Sequence, residues 1–442
     1  MEPKRLLYVC DLNLKHGGAQ RITYKTIGCL SKVFRIIVYL ADEPSPESLS
    51  LLDELHVEYI LDYGLDVERL KKLISAKKID LVLVQWEYGK WIVTIYKIKR
   101  AIDVRYAVFL HELPFIGTPL PNTIIKNWYF QAFRLFIRNI VGTIFKTTGQ
   151  KPIRKLFSNV NMNDSYEKKG SIHLLSSTKN DILEALKNAL EINRGLKNAE
   201  KVIAMGRASK FYIDHFLKIK NVIVIEHNAS SDIPIDTEFS KGNMDYDICF
   251  MASRLTPEKG IFEVLRVAYS VKKLIKRKLN VVLLGKFVDN DVKNTFLIKI
   301  RKLNLESDVF LPGFVSESEK AEILNASKVF LYPSKRDCFS ISLSDSLSQG
   351  LPAIMFDLPF ASQFGGPGVY KVRLGDIKIM SRKVVEILNL YKAAPADYGD
   401  LKKKIRENFF HTYSWDLTCK EQIMAITSIL AAHNSPDDDL LV

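Results

Sequence analysis

The sequence predicts an α/β protein built from two doubly wound parallel-sheet domains, and three observations carry that prediction. Short apolar runs recur along the chain without strict apolar/polar alternation, the mark of strands buried on both faces. Helical patterns such as Val67 to Ala76 lie between them, so strand and helix alternate as in repeated βαβ units. The 442 residues suit more than one core, and the polar run Thr237 to Asp245, with Gly242, reads as a linker.

Composition narrows the function classes. The chain is 47% hydrophobic and 26% charged, ordinary for a globular protein. Its five cysteines are scattered without metal spacing, which fits a reduced, cytoplasmic setting. The first apolar run is too short for a signal peptide, and no run approaches bilayer length. A net charge of +14 calls for anionic company: nucleic acid, acidic lipid head groups, or a diphosphate-bearing small molecule. Nucleic acid is set aside, because no helix-turn-helix, zinc-finger or RNA-recognition signature is present.

In the first half, Arg5 to Cys10 reads as a strand and is followed by Gly17-Gly18 and a helix to about Leu30. Two glycines at a strand-to-helix turn admit close backbone approach to a ligand, with the helix N-terminus aimed at it. The spacing is not that of a dinucleotide fingerprint. Further strands are expected over Phe34 to Tyr39, Val57 to Leu61, Leu81 to Trp86 and Tyr106 to Leu110. His111 closes the last of these, and Trp86-Glu87-Tyr88 closes the one before, at strand ends that face a cleft. Residues 113 to 160 interleave aromatic and basic side chains (Trp128, Phe133, Arg134, Phe136, Arg138). They fit either membrane-interface helices or helices packed on the domain face. A polar helix over Asn180 to Asn193 and strands at Val202 to Met205 and Val222 to Ile225 complete the half.

The second half opens with a strand, Asp247 to Ala252. Thr256 then fits an N-cap with Pro257 at the first helical position. That places Lys259 in the first helical turn, where a cation is out of place unless an anion lies between it and the helix end. Strands Leu279 to Leu284 and Val309 to Leu311 end at Gly285-Lys286 and at Pro312-Gly313-Phe314. The densest stretch follows the strand Val329 to Tyr332: Pro333-Ser334, then Asp337, Phe339-Ser340-Ile341, Asp345 and Gly350-Leu351-Pro352. Its two carboxylates stand eight residues apart, one in the loop and one on the following helix. Ser342 and Asp345 also fit a plain capping box. A helix over Thr418 to Leu430 follows Ser414-Trp415-Asp416, and the acidic tail after Pro436 reads as disordered rather than as a metal site.

These residues resemble the donor-binding signature of glycosyltransferase family 4 (glycosyl transferases group 1). There the motif runs Pro-Ser, two residues, Glu-Gly-Phe-Gly, four residues, Glu-Ala, then Gly-x-Pro. Pro333, Ser334, Phe339, Gly350 and Pro352 match; Asp337 and Asp345 replace the glutamates, and Cys338 and Ser340 replace the glycines. The resemblance implies a GT-B fold, two Rossmann-like domains facing a cleft. Residues 1–240 would take the acceptor and 245–413 the nucleotide sugar, 414–432 would cross back, and 433–442 would be a disordered tail. It further implies that Arg254 and Lys259 bind the diphosphate, and that Asp337 grips the sugar. Asp345 would bind the ribose, and the amides of Phe339, Ser340 and Ile341 would face the phosphates. Gly285 and Phe314 would lie by the base and ribose, Gly17 and Gly18 beside phosphate and acceptor, and His111 at the reacting centre.

The implied reaction is sugar transfer from a nucleotide sugar to a glycan or lipid-linked acceptor with retention of configuration. It needs no cofactor and no metal, because side chains and dipoles neutralise the diphosphate. Peripheral association with an anionic membrane face is a further expectation. Each aspartate is one bond shorter than glutamate, ~1.5 Å. The alternatives are therefore a non-catalytic scaffold or binding subunit, or a nucleotide-sugar hydrolase or epimerase-like enzyme on the same fold.

Overall fold

The computed structural model describes residues 2–12, 18–63, 66–85, 90–110, 190–226, 231–233, 245–335, 337 and 339–432. Gly17, His111, Trp86 to Tyr88, the stretch 113–160 and the tail from 433 lie outside the described residues.

The first sheet comprises β1 (Arg5–Cys10), β2 (Arg35–Leu40), β3 (Glu58–Leu61), β4 (Leu81–Gln85), β5 (Tyr106–Leu110), β6 (Lys201–Met205) and β7 (Val222–Ile225). Among the described residues these seven strands run in the order β3-β2-β1-β4-β5-β6-β7, all parallel. Successive side chains alternate between faces: Leu6, Tyr8 and Cys10 enter one buried cluster, Leu7 and Val9 another. Helices α1 (Gly18–Leu30) and α2 (Pro46–Glu54) cover the first face, and α3 (Val67–Lys77) and α4 (Lys90–Ala101) the second. A short helix, α5 (Arg207–Tyr212), follows β6.

The second sheet comprises β8 (Tyr246–Leu255), β9 (Val281–Phe287), β10 (Val309–Gly313), β11 (Ser327–Tyr332), β12 (Ala353–Phe356) and β13 (Val369–Val372), ordered β10-β9-β8-β11-β12-β13 and again parallel. Its helices are α6 (Ile261–Ile275), α7 (Asn290–Lys302), α8 (Glu317–Asn325), α9 (Ile341–Ser348), α10 (Ile377–Ala393) and α11 (Pro395–Thr412). The strand order reverses direction between β1 and β4 in one sheet and between β8 and β11 in the other. At such a switch point the loops leaving two neighbouring strands part and open a crevice at their carboxyl ends.

The last helix, α12 (Trp415–Ala431), belongs by contact to the first sheet. Ala425, Ile426, Ile429 and Leu430 complete that sheet's core, and Gln422 Nε2 donates to Thr26 Oγ1 at 2.9 Å. Ser414 caps it, accepting from the Leu417 N–H at 3.1 Å. Cys29 on α1 and Cys419 on α12 meet across this contact as free thiols, and burial pushes the Cys29 thiol up to about 12. Among the described residues no helix is long and apolar enough to cross a membrane.

Three local expectations change. Strands β8 and β9 do not stop at Ala252 and Leu284. They shift register after Met251 and pair again at Arg254 with Lys286. Gly285 therefore lies inside a strand, at φ +129, where a Cβ would come within 1.8 Å of the Ala252 carbonyl oxygen. Thr256 does not cap a helix either: residues 256 to 260 form a turn closed by Lys259 N–H to Thr256 O at 3.2 Å, and α6 starts after Gly260. Gly260 adopts φ +85, and a Cβ there would come within 2.0 Å of the Pro333 carbonyl oxygen, a position no side chain tolerates. Lastly, the cap of α9 is Ser340, whose Oγ accepts from the Leu343 N–H at 3.2 Å, so the Ser342 capping box does not form.

Candidate functional site at the switch point of the second sheet

The loop after β8 carries Lys259, and the loop after β11 carries Asp337. Gly260 allows the two loops to touch, and the Lys335 N–H donates to the Glu258 carbonyl at 2.8 Å. At that junction Lys259 Nζ meets Asp337 Oδ2 at 2.8 Å. The Tyr332 hydroxyl, at the end of β11, donates to the same oxygen. The lysine is about a third exposed and the aspartate 11%, so the pair lies at the carboxyl end of the sheet within reach of solvent, where the switch point opens a crevice.

Arg254 lies near the end of β8, exposed and without an ion-pair partner among the described residues. An exposed guanidinium near the end of β8, the strand whose following loop carries Lys259, adds positive charge at that end of the sheet. The first turn of α9 adds to it, since the N–H groups of Ile341 and Ser342 have no acceptor within the helix. The Phe339 ring turns away from the crevice, onto Phe364 at 5.2 Å and Tyr413 at 6.4 Å between centroids. Its backbone is what remains for a ligand. Ile341 packs on the core of the first domain. Phe314, just beyond the edge strand β10, is 79% exposed, a flat apolar face at the carboxyl end of the sheet.

Asp345 is placed differently. It sits inside α9 at 2% exposure; Ser231 Oγ donates to its Oδ1 at 2.8 Å, and Lys320 Nζ stands 3.5 Å from Oδ2. Burial raises its carboxyl above the ordinary aspartate value, although the charges of Lys320 and Arg21 pull the other way. Arg21, on α1 of the first domain, contacts Asp232 at 3.0 Å and Glu317 at 3.8 Å. Burial opposes its charge, yet Asp345, Asp232 and Glu317 together hold its pKa above the usual arginine value. Lys25 and the Trp415 indole N–H also reach Asp232, at 3.0 and 2.8 Å. This network bridges the two domains.

The structure thus joins Lys259 with Asp337, places Arg254 at the neighbouring strand end, and puts Asp345 in a separate inter-domain cluster. Gly18 begins α1, whose Arg21 reaches that cluster. The sequence reading missed Arg21, Lys320, Glu317 and Tyr332. Of these, only Tyr332 left a signal: a hydroxyl at the last position of an otherwise apolar strand, directly before Pro333-Ser334.

Residues 232–406 match the family model described as Glycosyl transferases group 1. Poly(ribitol-phosphate) alpha-N-acetylglucosaminyltransferase of Staphylococcus aureus is 25% identical over 289 residues, covering 63% of this chain and 54% of that protein. The chain thus spans about half the length of this curated relative. A solved glycosyltransferase of Rickettsia africae superposes with a TM-score of 0.66 at 15% identity, covering 98% of this chain and all of that one. Anabaena HepE, solved in complex with UDP, gives 0.66 at 12% identity, covering 96% of this chain and all of HepE. The architecture is that of GT-B glycosyltransferases.

Proposed function

We propose that this chain is a glycosyltransferase that takes a sugar from a nucleotide sugar and passes it to a glycan or lipid-linked acceptor, retaining the anomeric configuration. The observation that carries the reading is the Lys259–Asp337 pair at the switch point of the second sheet, with Arg254 exposed near the end of β8. Arg254, Lys259 and the first amides of α9 stabilise the charge that grows on the departing diphosphate. Asp337 accepts hydrogen bonds from sugar hydroxyls, and the leaving phosphate takes the acceptor's proton. Metal is not required, because the cations and the helix end supply the positive charge.

UDP is the first nucleotide to try, since HepE was solved with it. Phe314 offers a stacking face for the base. The acceptor, and any seat on an anionic membrane face, belong to the first domain, as would contacts from Gly17, Gly18 and His111. The test is release of nucleoside diphosphate from a panel of nucleotide sugars, with and without acceptor glycans, together with calorimetry of UDP. Release only with acceptor supports transfer; release regardless of acceptor indicates a hydrolase. No binding and no release sinks the reading.

One observation favours a second reading. Asp345 is engaged by Ser231 and Lys320 instead of facing the crevice. A GT-B subunit that has given up ribose binding and serves as a scaffold would look this way, and it would show no affinity for UDP.

A further inference from the structure

We propose that Tyr332 is a positioning residue for Asp337: its hydroxyl fixes the carboxylate against Lys259 and so makes the short acid serve where a longer one is expected. The inference rests on the proposed transferase function. It concerns how this chain's own residues aim the group that grips the sugar.

The hydroxyl has little freedom. Tyr332 is 2% exposed, and its ring lies against Phe250 at 6.5 Å, Phe330 at 5.9 Å and Phe360 at 6.0 Å between centroids. With the ring clamped on these sides, the O–H can only project from the carboxyl end of β11, where Asp337 accepts it. The same carboxylate oxygen accepts from Lys259. A carboxylate held at one oxygen by two donors, one from the loop after β8 and one from the end of β11, has a fixed plane. Its other oxygen, Oδ1, is then presented in a set direction. A buried hydroxyl beside a carboxylate also strongly resists ionisation, so Tyr332 remains a donor throughout the working pH range.

An aspartate falls short of a glutamate by ~1.5 Å, and a loose short acid would sample geometries in which the sugar is out of reach. Misplacement on that scale costs roughly 100-fold in rate. Two anchors on one oxygen remove the looseness. The arrangement also links the two halves of the donor: when the diphosphate draws on Lys259, Tyr332 keeps Asp337 in place for the sugar.

The experiment uses the full chain and Tyr332→Phe, which conserves the ring and its packing. Probes are UDP alone and whichever of UDP-glucose, UDP-N-acetylglucosamine and GDP-mannose the unsubstituted chain turns over. The expected result is unchanged UDP affinity within about twofold and kcat lowered about 10–100-fold, the effect of losing a hydrogen bond to a charged group. Adding Asp337→Glu to Tyr332→Phe should recover much of that loss, because the longer acid no longer needs the anchor. The same Asp337→Glu change in the unsubstituted chain should not raise kcat. Unchanged kcat in Tyr332→Phe overturns the proposal. So does equal loss of UDP and sugar binding, which marks a merely structural residue, and so does Asp337→Glu acting alike in both backgrounds. An unsubstituted chain that neither binds nor turns over any probe overturns the transferase reading instead, and this inference with it.

Discussion

Two acids eight residues apart have been put to different uses. Asp337 is built wholly within the second domain, from the loops after β8 and β11, and it shares its charge with a lysine that water still reaches. Asp345 straddles the two domains: it is buried, receives a hydroxyl from Ser231, and lies in the field of Arg21 from α1. An ion pair whose lysine reaches solvent is poised to exchange partners with a ligand. A buried carboxylate that takes a hydroxyl from Ser231 and feels Arg21 of the first domain is poised to report whether the domains are together. The contrast separates ligand chemistry from domain closure within one short stretch of chain.

The sharpest way to break this division is Lys259→Ala. It removes the cation from the anion-facing pair and leaves Asp337 with unbalanced charge, so kcat/KM should fall roughly 100–1000-fold. UDP affinity measured by calorimetry should fall as well. If both survive, the crevice is not the donor site.

Asp345→Asn tests the other region through pH. The folded-state pKa of Asp345 is raised, whereas an unfolded aspartate titrates near ~3.9. Between those values the folded chain holds a proton that the unfolded chain lacks, so rising pH erodes stability until the folded value is passed. The asparagine variant is free of that loss. Its melting temperature should rise relative to the unsubstituted chain as pH climbs from about 4 to 8. A gap that stays flat across that range would mean Asp345 faces water, as a ribose ligand would.

A smaller effect is expected for Ser340→Ala. It deletes the cap of α9 and should cost about 1 kcal/mol in denaturant unfolding, with UDP affinity following only as the helix end frays. Smallest of all is Arg21→Ala. Its ion pairs with partly exposed Asp232 and Glu317 are worth about 1 kcal/mol or less, while losing its charge pushes the buried Asp345 carboxyl further up. Its readout is small-angle scattering, where the variant should be more open without ligand and should compact on adding UDP. No change in the scattering would remove Arg21 from the closure network.

The strands were the most legible part of the fold, because burial on both faces writes continuous apolar runs. Arg5–Cys10, Tyr106–Leu110 and Val222–Ile225 have the bounds expected from the sequence. Turns were harder. Pro257 suits a helix start and a tight turn equally well, and only the left-handed Gly260 against Pro333 decides between them. In the candidate site, Lys259 and Asp337 were visible through local motif spacing, and their meeting follows from two adjacent parallel strands ending together. The Arg21–Asp232–Trp415 network was not visible, because its members come from three distant parts of the chain. Their side chains are ordinary surface types until the domains approach each other. Ser340 was read for its backbone amide, and its hydroxyl proved to be the cap.

The return of α12 to the first sheet has a consequence for biosynthesis. Ala425, Ile426, Ile429 and Leu430 cover apolar surface on strands that leave the ribosome long before them, with the whole second sheet still to be made. Until that helix is translated, the nascent first domain carries an open hydrophobic face of the kind that chaperones engage and that aggregates when left bare. The second domain's own core waits nearly as long, for Tyr398, Ile405, Phe409 and Tyr413, so neither half can close until the end of the chain has left the ribosome.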